Sequence, residues 1–290
     1  MNKKENYNGK SGRRSFHKLK KHMDIIQNKI SFRRQKKEIE SLDNAILNIV
    51  FKSILEVKES NYSKKDKKVF MSIEAYRKKL ASNSGVISYE IFNSSATKQI
   101  KDIYKIAASP RVWGELLYVL AKKLKSEKVL EIGTNVGISG TYILNGMKQN
   151  HDGFQFTTME GLNQLCLLCE EQFSEVTTRN NFDIISGLYD NTFPKLIANE
   201  NNFDLVFIDG NHQKEPTLKY FEELKKCSND KVVFIFDDIY YNLEMTEAWK
   251  IIICDKSVNY SIDLYKWGIA IIDKSETSHN KEFGIHLSYN

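Results

Sequence analysis

Among its 290 residues the chain has no apolar run near the ~20 residues that a bilayer-spanning helix needs. Its opening stretch, MNKKENYNGKSGRRSFHKLKKH, carries positive charge with no apolar segment behind it, so it lacks the form of a secretory leader. Cysteine is scarce: Cys166, Cys169, Cys227 and Cys254 give no disulfide framework in a chain of this size, and a cytoplasmic protein with reduced thiols is expected. Cys166 and Cys169 do form a CxxC, but no second pair and no histidine pair accompanies it. In NQLCLLCEEQF they share an apolar helical face with Leu165, Leu168 and Phe173, a packing pattern rather than a zinc or redox site. Internal repeats are absent.

Enough apolar side chain is present for a substantial core: 41% of residues are hydrophobic and 11% aromatic. The net charge of +6 is uneven, because residues 1–40 hold thirteen Lys and Arg against four acids, leaving the other 250 residues near −3. A basic arm of this kind is either a solvated tail or a polyanion contact. Residues 1–14 are expected to be a disordered basic tail, and residues 15–97 a helical N-terminal extension. Within it, SLDNAILNIVFKSILEV has Ser41 as a cap and a stripe of Ile46, Ile49, Val50, Ile54 and Leu55. That stripe must be buried against the domain or against a second subunit, as in a homodimer.

From residue 128 the pattern alternates, with strands at 128–132, 154–159, 182–186, 203–208 and 231–237 separated by helical stretches. Such alternation predicts parallel βαβ units and an α/β, doubly wound sheet. The segment SVNYSIDLYKWGIAIID reads as an antiparallel hairpin turning near Trp267 and Gly268 at one sheet edge. The domain is expected to span 98–275, with 276–290 as a C-terminal tail.

In such sheets the ligand sits at the carboxyl ends of the strands. The first strand ends in KVLEIGTNVGISG, where glycines at 133, 137 and 140 are expected to leave room for a bound molecule. The spacing is not the dinucleotide GxGxxG, and the lysine of a phosphate loop is missing. Glu131, two residues before Gly133, would repel a pyrophosphate. Glu160, ending the second strand, can accept both hydroxyls of a ribose. Together with Glu131 and the Gly133 to Gly137 spacing, it favours a sulfonium cofactor with an amino-acid tail.

The fourth and fifth strands end in FIDGNH and FIFDD, which bring Asp209, His212, Asp237 and Asp238 to the same rim. Three converging carboxylates repel one another unless a cation or a proton lies between them. Mg2+ with oxygen ligands fits that set; the alternative is that the acids cap helices and one alone meets the ligand.

These segments, VLEIGTNVGISG, the strand end at Glu160, FDLVFIDGNH and VFIFDDI, resemble the class I S-adenosylmethionine-dependent methyltransferases, nearest to their small-molecule O-methyltransferase branch. The resemblance covers about Ile100 to Lys274. It implies a seven-stranded, mostly parallel Rossmann-like sheet with its last strand antiparallel. It also implies that Glu131, Gly133, Thr134 and Gly137 line the methionine and ribose side of the cofactor and that Ser139 meets the methionine carboxylate. Glu160 would hold the ribose, with Leu188, Tyr189 and Asp190 at the adenine. Asp209, Asp237 and Asp238 would be the metal ligands of the metal-dependent members. The chain departs from that pattern at Lys214, where many relatives have tyrosine, and in its Asp-Asp pair where they have Asp-Asn.

The reaction so implied is O-methylation of a small-molecule or peptide acceptor, with Asp209 and His212 catalytic and His212 the general base. A second reading is a nucleic-acid methyltransferase that uses the basic arm. Against it, DGNH replaces the Asn/Asp-Pro-Pro-aromatic motif of nucleobase amine methylation. A third is a non-catalytic cofactor-binding module. Tyr89, Phe92, Tyr104, Tyr240 and Tyr241 are the expected cover of the acceptor.

Overall fold

The computed structural model describes residue 26 and residues 30–150, 153–199 and 202–288. The tail expected over residues 1–14 lies outside the described residues. Residues 30–41 are helical (α1), followed by α2 (Ala45–Lys58) and α3 (Lys64–Ala81). A small antiparallel hairpin, β1 (Val86–Ser88) and β2 (Thr97–Gln99), leads into α4 (Ile100–Ala107) and α5 (Arg111–Leu124).

The main sheet then begins. Its parallel strands β3 (Lys128–Ile132), β4 (Gln155–Glu160), β5 (Phe182–Ser186), β6 (Phe203–Ile208) and β7 (Ser228–Phe236) alternate with α6 (Ile138–Met147), α7 (Asn163–Val176), α8 (Tyr189–Ile197) and α9 (Lys214–Leu224). After α10 (Leu243–Ile253) come β8 (Tyr260–Asp263), β9 (Gly268–Asp273) and β10 (Lys281–Gly284), and the order across the sheet is β10-β8-β9-β7-β6-β3-β4-β5. β8 and β9 form the antiparallel hairpin that the pattern predicts, and β9 also runs antiparallel to β7. The central strands read as nearly unbroken apolar runs because helices cover both their faces. One core, with Phe51, Phe70, Trp113, Phe173 and Trp267, lies beneath α2, α3, α5, α6 and α7; the other, with Phe193, Phe221, Phe234 and Trp249, lies beneath α8 to α10.

The sheet has one strand more than the seven expected. β10 falls in the segment assigned to a C-terminal tail, pairing parallel with β8 from Lys281 opposite Tyr260 to Gly284 opposite Asp263. Its apolar positions are few, yet Phe283, Ile285 and Leu287 are buried, and Gly284 N donates to Gln35 Oε1 of α1 at 2.7 Å. Four residues with one inward side chain give too short a period to be read from sequence.

The start of α2 also differs from expectation. Ser41 donates to the Glu38 carbonyl at the end of α1, and the cap is Asn44, whose Oδ1 accepts Leu47 N at 2.9 Å. The buried face is correspondingly Leu47, Val50, Phe51, Ile54 and Val57, with Ile46, Ile49 and Leu55 at its margins. This face packs on α5 of the same chain, so its burial needs no second subunit. No helix among the described residues is long and apolar enough to cross a membrane.

Polar contacts lock the extension to α5 and its start. Asp66, 2% exposed at the start of α3, accepts from Tyr118 Oη at 2.5 Å and Lys122 Nζ at 2.6 Å, both on α5, and from Ser63 Oγ at 2.7 Å. Tyr62 Oη donates to Glu115 Oε2 at 2.7 Å, and Arg77 Nη2 to the Ser109 carbonyl at 2.6 Å. Burial alone would raise the Asp66 pKa, but the hydrogen bonds from Lys122, Tyr118 and Ser63 outweigh it and bring it to about 2. Because the folded-state value lies below the ordinary 3.8, Asp66 stabilises the fold at any pH above that value. The contribution, about 2 kcal/mol, disappears as pH falls through about 2.

Asp66→Ala, which strands the Tyr118 hydroxyl and the Lys122 ammonium, should lose about 2 to 4 kcal/mol of stability in urea titrations at pH 7. Its deficit against the wild type should narrow below pH 4. Removing residues 1–58 should bare the α5 surface under Leu47, Val50, Phe51 and Ile54, each worth roughly 1.5 to 3 kcal/mol when buried. Aggregation or a higher mass by light scattering is the expected readout.

Candidate active site

The loop joining β3 to α6 owes its glycines to crowding by the protein itself. A Cβ on Gly133, whose φ is +108°, would stand 2.5 Å from the Asp209 carbonyl oxygen. On Gly137 it would meet Cys169 Sγ at 2.9 Å, and on Gly140 the Phe173 ring at 2.6 Å. The expectation that these glycines clear space for a ligand is corrected: the end of β6 and the inner face of α7 fill that space. Cys166 and Cys169 are free and buried, and Cys169 packs directly beneath the loop. Gly133 N and Thr134 N both donate to the Met159 carbonyl, at 3.1 and 3.2 Å, and Tyr76 of α3 donates its hydroxyl to the Val136 carbonyl at 2.8 Å.

Two carboxylates flank this loop. Glu131 is wholly buried; its Oε2 accepts Thr158 Oγ1 at 2.7 Å, and Ser139 also hydrogen-bonds the carboxyl group. Its other oxygen, Oε1, is buried with no hydrogen-bond partner among the described residues. Burial raises its pKa to about 7, with the Ser139 and Thr158 bonds acting in the opposite direction. Glu160, 7% exposed, accepts Asn135 N on Oε2 at 2.8 Å and Leu162 N on Oε1 at 2.9 Å. Its pKa is raised by burial, against the pull of those backbone bonds.

Thr134 turns its hydroxyl inward to Thr158 Oγ1 (2.6 Å) and the Met159 carbonyl, so its side chain does not line the loop surface. Leu188, Tyr189 and Asp190 stand where β5 passes into α8. Tyr189 is packed beside Gly210 with its hydroxyl 3.3 Å from the Met159 carbonyl, whereas Asp190 is exposed.

The expected aromatic cover divides between two places. Tyr89 lies near Glu160, whose charge adds to burial in raising the Tyr89 pKa, and the Phe92 ring faces Gly161. Gln164 holds this flap, accepting from Ser88 N at 2.7 Å. Tyr241 is at the other end, its ring 5.9 Å from that of His212 and largely exposed along with Leu243. Tyr240 points its hydroxyl away to Asp263, and Tyr104 packs against the core.

At the ends of β6 and β7 the acids converge as the sequence predicts. His212 Nε2 lies 3.5 Å from Asp209 Oδ1, and its carbonyl accepts Asn242 Nδ2 at 3.4 Å. Asn211, His212 and Asp238 all have positive φ (+67°, +40° and +52°), a strain of order 1 to 3 kcal/mol each that collects at functional rims. The Asp209 pKa is raised well above the ordinary value by burial and then by the facing Asp237.

The expected metal seat at Asp209, Asp237 and Asp238 is corrected. Lys266 Nζ lies 2.7 Å from Asp237 Oδ1 and 2.7 Å from Asp238 Oδ1. These acids therefore do not fit Mg2+ as they stand, because an ammonium already holds two of the three. No group of three or more His, Cys, Asp or Glu among the described residues has an arrangement that could hold a metal ion. Sequence reasoning missed Lys266, Asn135 and Thr158. The repulsion among the acids called for a cation, but nothing local to Lys266 marks it as that cation, since its partners lie 28 and 29 positions away.

Gly133→Ala should lose more than about 2 kcal/mol, read as a lower Tm, since neither its φ nor the Asp209 carbonyl can accommodate a methyl group.

Residues 130–239 match the family model described as a methyltransferase domain. A provisionally named O-methyltransferase of Mycobacterium sp. (strain JLS) is 32% identical over 131 residues, covering 45% of this chain and 57% of the relative. Another, from Mycolicibacterium vanbaalenii, is 34% identical over 131 residues, 45% of this chain and 55% of that protein. The chain thus spans little more than half the length of these curated relatives. Among solved structures, the O-methyltransferase of Bacillus cereus in complex with SAH superposes with a TM-score of 0.51 at 18% identity, over 58% of this chain and 84% of that one. TomG from Streptomyces achromogenes, an O-methyltransferase of tomaymycin synthesis solved with SAM, does so with 0.51 at 19% identity, over 58% and 82%. Residues 130–239 are thus similar to a methyltransferase domain, and the fold is the one seen in these SAH- and SAM-bound O-methyltransferase structures.

Proposed function

We propose that the protein is an S-adenosylmethionine-dependent O-methyltransferase acting on a small-molecule acceptor. The observation that carries this reading is the pair of buried carboxylates on either side of the glycine loop, with Glu131 Oε1 lacking a partner among the described residues. An orphaned, buried acceptor is costly unless a donor arrives. The ammonium of a methionine-type ligand is such a donor, and Glu160, oriented by two backbone N–H groups, keeps lone pairs for ribose hydroxyls. In the same reading Gly133, Thr134 and Gly137 offer backbone along the cofactor, Ser139 stands at the carboxylate end, and Leu188, Tyr189 and Asp190 border the adenine.

S-adenosylmethionine, when bound, supplies an electrophilic methyl group on a sulfonium. The chain's own part is to align the acceptor, exclude water and take a proton. Asp209 holds His212 from one side, and Asn242 fixes the His212 backbone from the other. His212, with its side chain 32% exposed at the rim, can take the acceptor's hydroxyl proton as the oxygen acquires the methyl group. Tyr241 and Leu243, both largely exposed beside it, suit an apolar or aromatic acceptor body. We place the enzyme in the cytoplasm, in keeping with its four free cysteines. A peptide acceptor suits the same surface. A nucleic-acid substrate would depend on the basic arm, whose first 25 residues lie outside the described structure.

Glu160→Ala should weaken S-adenosylhomocysteine binding tenfold to a hundredfold by calorimetry, about 1.5 to 3 kcal/mol for bonds to a charged group. Unchanged affinity would remove the ribose assignment. His212→Ala should leave that affinity within about twofold and lower turnover by about 10² to 10⁴.

A further inference from the structure

Lys266 comes to the acid rim by a route that fixes where its ammonium can go. The turn from β8 to β9 is closed by Leu264 N donating to the Trp267 carbonyl at 2.8 Å and by Asp263 Oδ1 accepting Tyr265 N at 2.8 Å. Tyr265 adopts φ +72°, and Trp267 is completely buried against Trp113 and Phe207. The Lys266 carbonyl in turn accepts Ile239 N at 3.1 Å, tying its backbone to the residue after the Asp-Asp pair. The stem therefore leaves from a pinned base, and its side chain is 23% exposed while that of Asp237 is 7% exposed. Asp238 N also donates to Asp237 Oδ1 at 2.7 Å, so the carboxylate that faces the ammonium is held from its own backbone.

We propose that Lys266 is a resident cation occupying the seat that a divalent metal would need at Asp209, Asp237 and Asp238, and that the rim works without a divalent ion. The inference rests on the methyltransferase reading only for what the rim is used for; the seat itself is a matter of charge and distance. An ammonium has three N–H donors, and Asp237 and Asp238 take two of them. One donor is left to meet an arriving acceptor oxygen. A metal ion at this seat would instead offer two or more open positions and could chelate vicinal hydroxyls. The rim consequently receives an acceptor through a single oxygen, and Lys266 acts as a positioning residue for the oxygen that His212 deprotonates.

The test uses Mn2+ as the probe, read by electron paramagnetic resonance on the full chain, with S-adenosylhomocysteine binding measured on the same samples. The wild type should leave Mn2+ free at concentrations up to about 100 μM. Lys266→Met, which keeps the stem and removes the charge, should gain one bound Mn2+ per chain, and Lys266→Met with Asp237→Asn should lose it again. Lys266→Arg, which restores a cation, should leave Mn2+ free. Stoichiometric Mn2+ on the wild type that Asp237→Asn abolishes would overturn the proposal. So would a folded Lys266→Met variant that takes up no Mn2+. If Lys266→Met fails to fold by circular dichroism, the wild-type and Asp237→Asn titrations decide the matter alone. Failure to bind S-adenosylhomocysteine would remove the methyltransferase reading and leave the Mn2+ result to be judged by itself.

Discussion

The backbone crossing of Gly133 and Asp209 sets the geometry of everything at this end of the sheet. A single missing side chain lets the loop after β3 lie against the carbonyl that ends β6. The hydrogen-bond ladder then continues one step beyond the strands: Asp237 N to the Ile208 carbonyl, Asp209 N to the Ile132 carbonyl, Gly133 N to the Met159 carbonyl. Each of these donors belongs to a residue of the candidate site. The acids and the glycine loop thus share one rigid floor, and their spacing is inherited from the sheet rather than chosen by flexible loops.

That floor concentrates charge in a poorly solvated place. Glu131, Glu160 and Asp209 all have pKa values pushed upward, with burial the first cause in each. Such groups destabilise a fold unless something compensates them, and here the compensation differs from site to site. Glu160 is steadied by two backbone N–H groups and Glu131 by two hydroxyls, whereas Asp237 and Asp238 are steadied by a lysine. Backbone and hydroxyl donors can be shared with a ligand. An ammonium locked between two carboxylates leaves much less to share.

Much of this was legible in the sequence because it follows from short-range pattern. Near-continuous apolar strands separated by amphipathic helices fix a doubly wound sheet, and acids at strand ends must fall on one rim. Glu131, Glu160, Asp209, His212, Asp237 and Asp238 stand where that logic puts them. What escaped depends on distance through space. The glycine pattern points to a ligand, whereas the atoms that crowd these glycines belong to Asp209, Cys169 and Phe173, brought near by topology. Lys266 was invisible for the same reason. β10 and the Asn44 cap escaped for a different one, being too short or too locally ambiguous to register as a period.

Tyr76 gives the N-terminal extension a meaning beyond packing. Its hydroxyl supports the Val136 carbonyl inside the glycine loop, although Tyr76 lies 60 residues upstream and outside the span that matches the methyltransferase family. The stretch recognisable by kinship is therefore smaller than the stretch that is mechanically complete. A graft of residues 130–239 into another scaffold would carry the motif without the strut beneath it. The sequence of α3 is thus constrained at Tyr76 by the shape of a loop it does not adjoin.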